Sequence, residues 1–100
     1  MTNRRVTVLA RMKAKEGMEE RVKQELMALV APTRSEKGCI NYDLHQGADD
    51  QTLFMFYENW VSKEALDQHA QMPYLQALGE KAGEILAELT GRKYYLAYDD

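Results

Sequence analysis

The stretch Leu53-Phe54-Met55-Phe56-Tyr57-Glu58-Asn59-Trp60 decides the reading of this sequence, because it is apolar or aromatic at both parities. Successive side chains of an extended segment point to opposite faces, so Phe54, Phe56, Glu58 and Trp60 share one face and Leu53, Met55 and Tyr57 the other. A strand of this kind is buried twice. In a chain of 100 residues helices cover only one face of a sheet, so the second face calls for another cover, and a second copy of the chain is the simplest.

Working outward, residues 39–46 read as a strand joined to this one by the polar turn 47–51, which makes a hairpin. Residues 5–13 alternate, with Val6, Val8, Ala10 and Met12 opposite Thr7, Leu9 and Arg11, and predict a further strand. Between them Met18, Val22, Leu26, Leu29 and Val30 form the stripe of an amphipathic helix, which Pro32 is expected to end or kink near Ala31. Gly38 reads as a residue of positive φ leading into the next strand. Beyond the central strand, Ser62 caps a short helix to Gln71, and Pro73 opens another that is expected to reach Thr90 and close at Gly91. Its stripe is Leu75, Leu78, Ala82, Ile85, Leu86 and Leu89, and residues 94–98 make a last strand. The order is βαββαβ: one α+β domain over residues 1–100, with a four-stranded sheet and its helices on one face.

Apolar residues at 45% and charged residues at 29% place the chain among folded globular proteins. A net charge of −3 with interspersed signs carries no footprint for nucleic acid or an anionic membrane. One cysteine excludes an internal disulfide, and the longest apolar run, residues 26–31, is too short for a bilayer. The apolar stretch 6–10 is too short for a signal-peptide core, so a cytoplasmic location is expected.

His45, His69 and Cys39 do not stand at ligand spacing, and the glycines are isolated, so neither a metal nor a nucleotide or flavin cofactor is implied. Cys39 reads as a small buried apolar residue. His69 follows Leu66 by three and Ala65 by four, which puts an imidazole on the apolar side of its helix, toward the sheet. Two roles suit it: a core histidine bonded to a backbone carbonyl or to Glu58, or a proton-transfer group. Glu58 shares a face with aromatics; buried, it needs a partner or a raised pKa, and near the strand end it can instead reach solvent. Trp60 and Tyr74 suit core and pocket wall equally. Gly79 and Gly83, one helical turn apart, leave room for a ligand or for close packing.

The segment Glu36-Lys37-Gly38-Cys39-Ile40-Asn41-Tyr42, then Tyr57-Glu58-Asn59-Trp60, Ala65-Leu66 and His69-Ala70-Gln71-Met72-Pro73, resembles the antibiotic biosynthesis monooxygenase family, in particular its quinol monooxygenase-like bacterial members. The resemblance implies a ferredoxin-like fold, a homodimer whose sheets meet in a dimeric α/β barrel, and a pocket between sheet and helices. It also implies oxygenation of electron-rich phenols, anthrones or hydroquinones by O2 without metal or flavin. Trp60 and His45 match pocket residues of the anthrone oxygenases, whereas Phe56 and Leu66 stand where those enzymes carry asparagine and tyrosine. The pattern of the haem-degrading members is not met, since His69 stands at their tryptophan and Gly79 near their haem ligand. The quinol-type members, and a related enzyme that processes a phosphorylated autoinducer sugar, share the histidine at His69 and carry a second where this chain has Tyr74.

On this reading His69, or His45, is the base that deprotonates the aromatic substrate, with Trp60 and Tyr74 donating to the oxyanion and Glu58, Phe56 and Leu66 completing the binding site. Two rival readings remain open. An isomerase or degrading enzyme for a small phosphorylated carbonyl compound would turn Arg34 or Arg92 into the pocket, and a noncatalytic dimeric ligand-binding protein would fill it with Phe54, Phe56 and Leu66.

Overall fold

The alternation at the start of the chain becomes β1 (Val6–Ala14), with Val6, Val8, Ala10, Met12 and Ala14 buried. The structure is a computed structural model, and it describes residues 4–88 and 92–98. Gly17, at a φ of 85°, turns the chain into α1 (Glu19–Met27), whose Val22 and Leu26 are fully buried. This helix stops earlier than its stripe predicts. Ala28 and Leu29 form a turn and α2 (Val30–Arg34) follows, with Pro32 inside it. The proline ring has no N–H for the Ala28 carbonyl and crowds it, so the break falls about one turn before Pro32 rather than at Ala31.

The hairpin forms as expected from β2 (Cys39–Gln46) and β3 (Leu53–Trp60). Ser62 caps α3 (Lys63–Ala70), its hydroxyl accepting the Ala65 N–H at 3.2 Å, and Pro73 opens α4 (Pro73–Ile85). Gly38 does not have a positive φ. Its glycine is required by close approach, since a Cβ there would stand 2.2 Å from the Ala65 Cβ.

α4 ends at Ile85, not at Thr90. The free edge of β1 captures the chain: the Lys15 N–H donates to the Ile85 carbonyl at 2.9 Å, and β4 (Leu86–Glu88) pairs with Lys13 and Ala14. The expected helix residue Leu89 and the closing Gly91 fall outside the described residues. The last strand, β5 (Arg92–Leu96), starts two residues before the expected one and runs along Val6 to Ala10.

The sheet is antiparallel, in the order β2-β3-β1, with β4 and β5 sharing the fourth position along β1. This is the ferredoxin-like α+β arrangement. One face carries the core, where Val8, Phe54, Phe56, Tyr42 and Trp60 meet the buried side chains of the helices. The other face has no cover among the described residues: Leu53, Tyr57 and Tyr95 on it are 40–51% exposed. A polar ladder crosses that face, with Thr7 Oγ1 donating to Asn59 Oδ1, Asn59 Nδ2 to Asn41 Oδ1 and Asn41 Nδ2 to Asp43 Oδ2.

Candidate active site

The Ser62 cap sets the phase of α3, and two turns later His69 points into the core at 5% exposure. Its ring lies between Trp60, 4.5 Å away between centroids, and Tyr42, edge-on at 5.4 Å; Tyr42 in turn stacks on Phe56 at 4.3 Å. The partner of His69 is neither a backbone carbonyl nor Glu58. Nδ1 stands 2.7 Å from Oε2 of Glu36, and both side chains are buried. Glu36 sits in the turn between α2 and β2, held by its own N–H to the Thr33 carbonyl and by the Cys39 N–H to its carbonyl. Its Oε2 also accepts a hydrogen bond from the Tyr74 hydroxyl.

Glu58 does not reach solvent, despite standing near the end of β3. Its neighbours across the sheet are Val8 on β1 and Tyr42 on β2, so it is walled on both sides and only 5% exposed. Trp60 Nε1 donates to Glu58 Oε1 at 2.9 Å. Burial pushes the Glu58 carboxyl up to about 7, against the opposing pull of the Trp60 bond and of Arg92; the Glu36 charge adds to the rise. Burial, and then the Glu58 charge, drive the Tyr42 phenol far above its ordinary range. Tyr74 is pushed up to about 12 by burial and then by Glu36. The Cys39 thiol is raised to about 11 by burial, with Glu36 and Glu58 adding to it, which makes it a poor nucleophile.

A cavity of about 60 Å³ lies between sheet and helices, with Glu58, His69 and Arg92 among its polar lining and Phe56, Leu66 and Leu75 on its apolar wall. This is room for a few waters, and the exposed Arg92 and Tyr94 form its outer side. Of the residues singled out from the sequence, His69, Glu58, Phe56 and Leu66 converge here. Trp60 and Tyr74 do not line it: they stand behind, their N–H and O–H donated to Glu58 and Glu36. His45 is elsewhere. It pairs in register with Met55, is exposed, and has Nδ1 3.1 Å from the Asp43 carbonyl oxygen. Arg34 is tied to Asp43 at 3.0 Å and does not reach the cavity. A Cβ added at Gly79 or Gly83 meets nothing within 4 Å, so close packing does not require these glycines.

Glu36 and Tyr42 were not legible as site residues. Both belong to the motif segment 36–42, but the pairing of Glu36 with His69 spans 33 residues and depends on how a turn meets a helix. Among the described residues no group of three His, Cys, Asp or Glu side chains is placed to hold a metal ion, and no helix is long and apolar enough to cross a membrane.

Residues 5–81 match the family described as antibiotic biosynthesis monooxygenase. A Synechocystis protein without a described role is 38% identical over 73% of this chain, but the match spans only 52% of that protein's length. A Mycobacterium tuberculosis protein named "Putative monooxygenase Rv0793" is 36% identical over 81% of this chain and 79% of its own. The crystal structure of PA3566 from Pseudomonas aeruginosa superposes with a TM-score of 0.86 at 32% identity, covering 99% of this chain and 97% of the other.

Proposed function

The chain belongs to the antibiotic biosynthesis monooxygenase family, and from that premise we propose that it is a cofactor-independent monooxygenase acting on an electron-rich aromatic substrate of the hydroquinone, phenol or anthrone type. The observation that carries this reading is His69, bonded through Nδ1 to Glu36 and bordering an apolar cavity beside a carboxyl that titrates near neutrality.

Triplet oxygen reacts slowly with a closed-shell ring until the ring donates an electron, and deprotonation makes it a donor. His69 takes a hydroxyl proton from the substrate. The anion passes one electron to O2, and the resulting radical pair combines to form a C–O bond. The protonated His69 returns its proton to the ring peroxide, and the hydroperoxide then loses water: the O–O bond breaks, one oxygen stays on the ring as a carbonyl, and the other leaves as H2O. A hydroquinone and O2 thus give a hydroxyquinone and water. Trp60 and Tyr74, expected as oxyanion donors, are committed to Glu58 and Glu36, so this reading gives the developing charge to cavity-lining Arg92 and to Glu58 in its protonated form. His45 takes no part in it.

A second copy covering the open sheet face belongs to the same proposal, supported by the exposed Leu53, Tyr57 and Tyr95. Of Arg34 and Arg92, the basic residues that the phosphorylated-carbonyl reading named, only Arg92 lines the cavity, and the filled-pocket reading expects no void where a small one of about 60 Å³ lies beside Phe56 and Leu66. The test is oxygen uptake by metal-stripped protein with naphthohydroquinones, catechols and anthrones. The wild type is expected to consume O2 and His69→Ala to lose about 100-fold or more in rate. Unchanged uptake in the variant rejects His69 as the base; no uptake by the wild type with any of the three classes rejects the activity.

A further inference from the structure

We infer that Glu36 is a positioning residue for His69, holding the imidazole proton on Nδ1 so that Nε2 presents its lone pair to the cavity. The inference rests on the reading of His69 as the base and concerns a residue that does not itself line the cavity.

Three features carry it. Oε2 of Glu36 faces two groups at once, His69 Nδ1 at 2.7 Å and the Tyr74 hydroxyl. The phenol of Tyr74 keeps its proton across the neutral range, since burial and Glu36 push it up to about 12, so it donates and Oε2 accepts. A carboxylate oxygen accepts from both groups: with Tyr74 donating to Oε2, the contact at 2.7 Å is a hydrogen bond in which Nδ1 donates. The imidazole is also held in plane. Trp60 at 4.5 Å and Tyr42 at 5.4 Å flank it, and both are packed into the core at 2% exposure or less. The remaining nitrogen is then the free one: among the described residues Nε2 takes no hydrogen bond, and His69 borders the cavity. Glu58, the other carboxyl nearby, has its Oε1 engaged by Trp60 and is not bonded to His69. A carboxylate that fixes the tautomer of a histidine through one nitrogen and leaves the other aimed at a reactant is the arrangement a general base needs.

The test reads the tautomer directly. The chain has two histidines, so in a His45→Gln background the long-range 1H–15N spectrum of labelled imidazole reports His69 alone. Neutral His69 is expected to be protonated on Nδ1. In Glu36→Gln, whose amide donates as readily as it accepts, that preference is expected to fall. With an oxidisable hydroquinone, kcat should drop about 10- to 100-fold while KM stays within about twofold, and Glu36→Asp should restore part of it. A wild-type spectrum protonated on Nε2 overturns the inference, even if Glu36→Gln fails to fold. So does a Glu36→Gln protein with unchanged tautomer and kcat. If no chain oxidises any substrate the proposed function fails, and the spectrum still judges Glu36.

Discussion

Replacing Glu58 by glutamine should change the pH dependence of stability in a defined direction. The carboxyl is buried, bonded to Trp60 Nε1 and raised from an ordinary 4.5 to about 7, chiefly by burial. Between those two values the unfolded chain has released the proton and the folded chain has kept it. Stability therefore falls as pH rises through this window, by about 1.4 kcal/mol per pH unit. The full effect is about 3 kcal/mol, present below pH 4.5 and lost above about 7. Glutamine keeps an oxygen for the Trp60 N–H and does not titrate. Glu58→Gln should accordingly match the wild type near pH 4.5 and exceed it by about 3 kcal/mol at pH 8. The assay is urea unfolding of both proteins at equal concentration from pH 4.5 to 8, with the difference between them isolating this carboxyl from the others. A difference that stays flat with pH refutes the reasoning, because it would mean that Glu58 titrates alike in both states.

Two further outcomes follow from the packing. Gly38→Ala places a Cβ 2.2 Å from the Ala65 Cβ and should lower unfolding stability by about 1–3 kcal/mol, whereas Gly79→Ala enters open space inside α4 and should raise it by about 1 kcal/mol; denaturant midpoints that rank these two the other way contradict the packing. On the open sheet face, Tyr57→Lys puts a charge where a second copy would pack, and light scattering should find a dimer for the wild type and a monomer for the variant. A wild type that is monomeric at micromolar concentration removes the support for a paired sheet.

What depends on near neighbours was legible along the chain. Parity along residues 5–13 and 53–60, the Ser62 cap and Pro73 at a helix start are local signals, and β1, β3, α3 and α4 begin within a residue of where those signals put them. The orientation of His69 toward the sheet followed from helical spacing alone. Where elements compete or meet, packing between distant segments set the outcome. The free edge of β1 took residues 86–88 from a helix whose stripe continued, because unpaired backbone groups on a strand outbid an apolar pattern that suits helix and strand equally. Glu58, Phe56, Leu66 and His69 line one cavity, while His45, matched to the same pocket, faces away by a single step of parity from Leu44. Glu36 became the partner of His69, and Trp60 that of Glu58, through hydrogen bonds whose geometry belongs to side chains rather than to any periodicity. Periodicity determines which face a residue occupies; which groups on that face touch, and which carboxyl is dry enough to hold its proton, is set by packing between distant segments.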